Sequence, residues 1–337
     1  MQGVQEMKKM IKKAICTACI MALSVSSFTA CGDESSISNG DKISIVATIF
    51  PQYDWARQIV GDSQNVSLTL LADNGTDLHS FEPTADDIIA ISECDIFIYI
   101  GGESDQWVEE ALAQAVNKDM IKLNLLEVLG DNAQYTETVE GMQHDHSHEC
   151  EDDDCEHSQA YDEHIWLSLK NADILCGKIA QSIISLCPES KDEFTENLNS
   201  YINKLNSLDA EYADFLESAP EKPLLFGDRF PFLYLTKDYS IEYSAAFSGC
   251  SSESEASFDT IAFLADQLDS HNLGAVITIE GSDCNIADTV IAASKSQDAQ
   301  ILTLNSMQSV TKKDIENGAD YLTYMKNNLD VLKQALS

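Results

Sequence analysis

The residues best suited to chemistry are crowded between His144 and His164, in HDHSHECEDDDCEHSQAYDEH. These 21 residues hold five of the chain's seven histidines, two cysteines and nine Asp or Glu, with no Lys or Arg. Imidazole nitrogen, thiolate sulfur and carboxylate oxygen are the atoms that bind divalent transition metals, zinc above all. His144, His146, His148 and His157 lie in a run too polar to fold, which reads as a solvated loop collecting metal at low affinity. His164 differs, because it leads straight into the apolar run Ile165-Trp166-Leu167. A further candidate is His79, in the run from Gly75 to Asp87 that follows the strand-like stretch Val66–Leu71. Asp77 and Glu82 flank it as acceptors able to fix its tautomer.

The rest of the chain bounds what these residues do. It has 337 residues, 44% of them hydrophobic, enough for one large core or two modest ones. Twenty Lys and Arg against 57 Asp and Glu give a net charge of −37. That excludes phosphate-backbone binding, and hence nucleic acid, and favours cations. Residues 1–30 read as a signal segment: a basic Met7–Lys13, then an apolar Ala14–Phe28 too short to span a bilayer. Phe28-Thr29-Ala30-Cys31 resembles a lipoprotein cleavage site with Cys31 carrying the lipid, and residues 31–42 then form a tether. Seven cysteines remain after Cys16, Cys19 and Cys31, so at least one is unpaired within the chain. Cys176 reads as core; Cys250 is a candidate for a disulfide with Cys284.

Positioning such ligands requires a scaffold, and the pattern supplies one. Apolar runs Ile43–Ile49, Val66–Leu71, Ile96–Ile100 and Ile121–Leu125 alternate with helical spacing at Tyr53–Val60, Ala85–Ile91 and Gln106–Val116. The charged segment 130–163 interrupts this alternation as an exposed loop. Helical patterns Ile165–Leu186 and Glu189–Leu216 follow, the second long enough to run along two lobes. Strand patterns return at Pro223–Phe226, Ile241–Ala246, Ala275–Ile279 and Ile301–Leu304, with helical ones at Phe258–Leu268, Ile286–Ser296 and Lys312–Leu336. The fold class is α/β: two lobes, 43–164 and 220–337, each with a mainly parallel sheet flanked by helices, joined by a long rigid helix within the linking region 165–219. Ligands of such sheets sit beyond the carboxyl ends of the strands.

With these motifs in place the chain resembles the zinc/manganese solute-binding proteins of ABC importers. The residues around His79 and the run Asp162-Glu163-His164-Ile165-Trp166-Leu167 are similar to that family's two histidine motifs. Ala47–Trp55, Ile59-Val60-Gly61 and Tyr99–Gly102 fit its first strand, first helix and a strand-end turn, and the likeness covers roughly residues 43–335. The resemblance implies that His79 and His164 ligate metal. The family's third ligand position falls on Arg229, whose guanidinium cannot bind a metal, which makes Asp228 the nearest substitute. The fourth falls near Ile279–Cys284, where Glu280 or Asp283 could ligate, with Cys284 as an outlying choice. Arg229 paired with Glu280 is the structural alternative.

The expected function is then a non-enzymatic, lipid-anchored extracytoplasmic monomer. It captures Zn2+, with Mn2+ as the alternative, for delivery to a membrane ABC permease. A metal-storage or adhesion lipoprotein using only the loop is the rival. A zinc hydrolase is disfavoured, since the chain has no His-Glu-x-x-His and no Gly-x-Ser-x-Gly.

Overall fold

The computed structural model describes residues 42–143, 160–251 and 255–337. The signal segment, the tether residues through Asp41 with Cys31, and the loop histidines His144, His146, His148 and His157 lie outside the described residues.

Two four-stranded parallel sheets carry the architecture. In the first, β1 (Ile43–Ala47), β2 (Val66–Leu70), β3 (Ile96–Tyr99) and β4 (Ile121–Asn124) are ordered β2-β1-β3-β4. In the second, β5 (Leu224–Phe230), β6 (Tyr243–Ser248), β7 (Ala275–Ile279) and β8 (Gln300–Leu304) are ordered β6-β5-β7-β8. The two orders are the same in position, so each lobe places its second strand at one edge and its fourth at the other. The central strands β1, β3, β5 and β7 are mostly buried, as helices covering both faces require.

Local chemistry sets where the helices begin. Pro51 occupies the first turn of Phe50–Val60, where a missing N–H costs nothing. Thr84 and Asp87 form a capping box on Ala85–Glu93, and Ser257 caps Phe258–Ser270. The linking region holds two helices, as its two patterns place them. Ser168 caps Leu169–Leu186, so Ile165–Leu167 is a separate, fully buried 3-10 turn. The 28-residue helix Lys191–Ser218 follows, about 42 Å long at 1.5 Å per residue. It packs against Phe50–Val60 of the first lobe and against Tyr321–Ala335 of the second. Asn197 donates to the Ile59 carbonyl at 3.0 Å, and the Tyr212 hydroxyl to that of Met325 at 2.5 Å.

Three expectations change. The pattern Lys312–Leu336 divides into Lys312–Glu316 and Tyr321–Ala335, because Gly318 turns the chain at φ +93° and Asp320 caps a new helix. β5 runs on past Phe226 to Phe230 through a register shift. The segment 130–163 is not exposed throughout. Its stems meet at a Tyr135–Tyr161 bridge with stacked rings 4.5 Å apart, and Met142, Asp162 and Glu163 are buried.

One apolar core fills the space between the lobes, from Ile45 and Trp55 through Trp166 and Leu205 to Tyr321 and Leu332. Smaller cores back each sheet on its far face, around Phe97 in the first lobe and around Phe247 in the second. Among the described residues no helix is long and apolar enough to cross a membrane.

Candidate metal centre

His79 lies beyond the carboxyl end of β2, in the short turn Leu78–Ser80. Leu78 is buried and anchors that turn, and the Asp77 carboxylate caps it by accepting from the His79 backbone N–H at 2.9 Å. His164 is fully buried at the entry to Ile165–Leu167. The turn below it is fastened to the second lobe. Trp166 Nε1 donates to the Ser306 carbonyl at 2.7 Å, and the Tyr321 hydroxyl to that of Trp166 at 2.6 Å. Gly249 makes room for the ring: a Cβ there would stand 2.8 Å from His164 Cε1.

The two imidazoles face each other with Nε2 atoms 3.2 Å apart. Their other nitrogens are held from behind. Ser104 Oγ gives its only proton to the Glu163 carboxylate, so at 2.7 Å it accepts from His79 Nδ1–H. Asp162 Oδ1 accepts from His164 Nδ1–H at 3.0 Å. Both rings are thereby set as Nδ1–H tautomers with Nε2 lone pairs pointing at one another. Two lone pairs at 3.2 Å repel unless a cation lies between them. Two nitrogens bound to one tetrahedral zinc at about 2.0–2.1 Å would be roughly 3.3–3.4 Å apart, so the spacing fits a shared ion.

Electrostatics agree. Burial, reinforced by His164, pushes His79 down to about 4, so its ring stays neutral. Burial also opposes charge on His164, but Asp162 and Glu163 outweigh it and raise that pKa. A proton therefore competes with a metal at His164 before it does so at His79. Burial raises Glu163, against the hydrogen bonds from Ser104.

A third ligand-type atom joins the pair. Among the described residues the cluster of His, Cys, Asp or Glu that could hold an ion is His79, His164 and Cys250, whose ligand atoms all lie within 4.8 Å of one another.

The carboxylates expected from the sequence lie outside that cluster. Asp228 accepts from the backbone N–H of Arg229 at 2.8 Å and of Ile279 at 3.3 Å, which ties β5 to β7. Glu280 accepts from Ser306 N at 2.7 Å, Ser306 Oγ at 2.8 Å and Gln308 N at 3.1 Å, holding the loop after β8. Asp283 is occupied with Asn285. Arg229 does not pair with Glu280; it reaches Asp77 at 2.9 Å. Asp77 in turn holds the His79 backbone and Arg229 rather than the imidazole, and Ser104 performs the role expected of Asp77 or Glu82. Cys250 and Cys284 are both free thiols, which overturns the expected disulfide.

Comparison with known proteins is decisive on kinship. A family model described as zinc-uptake complex component A, periplasmic (ZnuA), matches residues 45–335. The chain belongs to the ZnuA family. A ZnuA-family relative, the zinc-binding lipoprotein AdcA of Streptococcus pneumoniae, is 32% identical over 295 residues, covering 87% of this chain and 56% of the relative. The chain thus spans little more than half the length of such relatives. The high-affinity zinc uptake system protein ZnuA of Bacillus subtilis is 29% identical over 311 residues, covering 91% of this chain and 93% of that one. Among solved structures, the Zn(II)-bound ZnuA-like domain of S. pneumoniae AdcA superposes with TM-score 0.67 at 28% identity, covering 88% of this chain and 99% of the domain. The metal-dependent lipoprotein YcdH of B. subtilis gives 0.70 at 26% identity, covering 88% of this chain and all of that one.

Sequence reasoning passed over two residues of this ZnuA-family site. Ser104 carries no signal of its own beyond lying just past the strand-end glycines Gly101 and Gly102. Gly102 matters because a Cβ there would overlap the Glu163 carboxylate. Cys250 is a free thiol beside the histidines rather than a partner of Cys284, and the odd cysteine count says only that some thiol is unpaired, not which one.

Proposed function

We propose that this protein is the extracytoplasmic solute-binding component of a zinc ABC importer, holding Zn2+ between its lobes and releasing it to a membrane permease. The reading rests on one observation: two buried imidazoles with Nε2 atoms 3.2 Å apart, the Nδ1 of each held by a partner behind it. His79 and His164 are the ligands. Asp228 and Glu280 support the second-lobe loops around them, and Asp283 stands further off. The protein acts as a monomer anchored through Cys31, and performs no reaction on what it carries. The acidic loop with His144, His146, His148 and His157 gathers ions at low affinity.

The test is metal stoichiometry and affinity in three variants. His79→Ala and His164→Ala should each abolish tight zinc binding. Removal of residues 144–159 should leave one tight site per chain. Loss of all tight binding on loop removal, with the histidine variants unaffected, would overturn the two-lobe site in favour of a loop-only storage protein. Transport is tested separately, by growth on limiting zinc of cells lacking the protein.

A further inference from the structure

We propose that the Cys250 thiolate is the third protein ligand of the ion held by His79 and His164. The inference rests on the metal-capture reading above and names the second lobe's donor to that site. Three observations support it.

The first is proximity. Cys250 Sγ and the two imidazoles present ligand atoms that all lie within 4.8 Å of one another. Nitrogen and sulfur on one tetrahedral zinc would stand roughly 3.6 Å apart, given bonds of about 2.0–2.1 and 2.3 Å.

The second is topology. The sheets share one strand order, so β6 occupies in the second lobe the place that β2 occupies in the first. His79 follows β2 and Cys250 follows β6. Each lobe thus sends one ligand from the loop after its matching edge strand, and His164 stands where the two lobes meet.

The third is the state of the alternatives. The second-lobe carboxylates lie outside the cluster of described residues that could hold an ion; Asp228 holds two backbone N–H groups, and Glu280 two backbone N–H groups and a hydroxyl. Arg229 carries no lone pair to offer. Cys284 points its thiol at the Ser282 carbonyl, 3.8 Å away within its own turn. Cys250 is a free thiol whose sulfur lies together with both histidines in that cluster.

Coordination breaks the S–H bond, forms a metal–sulfur bond and releases one proton to solvent, with no change of oxidation state. Two imidazoles and a thiolate make a soft donor set, which selects zinc over manganese.

The experiment uses the full chain with Cys150→Ser and Cys155→Ser, so that loop thiols do not contribute, loaded with Co2+ in place of zinc. The expected result is a sulfur-to-cobalt charge-transfer band, lost in Cys250→Ser and kept in Cys284→Ser. Calorimetry in buffers of different ionisation heat should show Cys250→Ser releasing about one proton fewer per zinc. Zinc affinity should fall at least tenfold in Cys250→Ser while manganese affinity changes little. Stoichiometric cobalt without the band, or an unchanged band and proton count in Cys250→Ser, would overturn the thiolate and leave the two-histidine site standing. Tight cobalt binding that survives both His79→Ala and His164→Ala would overturn the site itself. If Cys250→Ser does not fold, Cys250→Ala and the band of the parent chain decide between the same outcomes.

Discussion

Arg229 Nη2 lies 2.9 Å from Asp77 Oδ2, an ion pair that joins the end of β5 in the second lobe to the turn carrying His79 in the first. It places a cation within reach of a cation site and neutralises it there. Asp77 has two duties, since its other oxygen caps the His79 turn. Removing Asp77 frees a positive charge beside the histidines and loosens one of them.

Asp77→Ala should therefore weaken zinc binding about tenfold, for a combined loss of about 1–2 kcal/mol from the cap and the compensating charge. Asp77→Asn keeps a capping oxygen but not the charge, and should fall between wild type and Ala. Competition titration against a chromophoric chelator measures all three. Equal affinities would show that the pair serves only lobe contact.

The pH at which metal leaves should follow His164, not His79. Asp162 holds the His164 proton and raises its pKa, whereas burial keeps His79 neutral down to about 4. As pH falls, a proton displaces metal at His164 first, contributing about one decade of affinity per pH unit below its pKa. Asp162→Asn removes the charge that favours that proton. Its zinc affinity should fall less steeply than wild type between about pH 7.5 and 5.5. Parallel slopes for the two proteins would contradict this order of titration.

Glu280→Gln should cost stability more than metal. The carboxylate accepts three hydrogen bonds from Ser306 and Gln308, and an amide in its place sets an N–H against at least one of those donors. A loss of about 1–3 kcal/mol follows, seen as a lower melting temperature. Zinc stoichiometry should stay at one. Loss of the metal with unchanged melting would make Glu280 a ligand instead.

Gly249→Ala tests how closely the backbone hugs His164. The added methyl would stand 2.8 Å from both His164 Cε1 and the Phe230 carbonyl, and 2.9 Å from Pro231 Cα. Relief requires moving backbone or the ligand ring, at about 1–3 kcal/mol. Zinc affinity and melting temperature should both drop, by equilibrium titration and thermal unfolding. Wild-type affinity in a normally folded variant would show that the ring has slack.

The elements were legible because periodicity is a local signal. All eight strands overlap the apolar runs that place them and most helices follow the expected spacing; Leu125–Leu129 and Leu233–Tyr239 have no counterpart in that reading, and Ser168, Gly318 and Asp320 each start or stop a helix inside an unbroken apolar pattern. His79 and His164 were legible as a pair only through motif resemblance, since 85 positions separate them. The rest of the site was not. Which of Asp228, Glu280 and Cys250 faces the histidines depends on how the second sheet abuts the first. No local pattern encodes that, and a carboxylate in the right loop looks the same whether it faces an ion or a row of backbone amides.

The apolar core shared between the lobes makes them thermodynamically inseparable. Side chains from β1, the two linking helices and the C-terminal helix interdigitate in one cluster, so neither lobe retains a closed interior if the other unravels. Heat should melt residues 42–337 as a single cooperative unit. Cargo bound at the junction then shifts that one transition as a whole, and a melting curve becomes a direct gauge of cargo affinity.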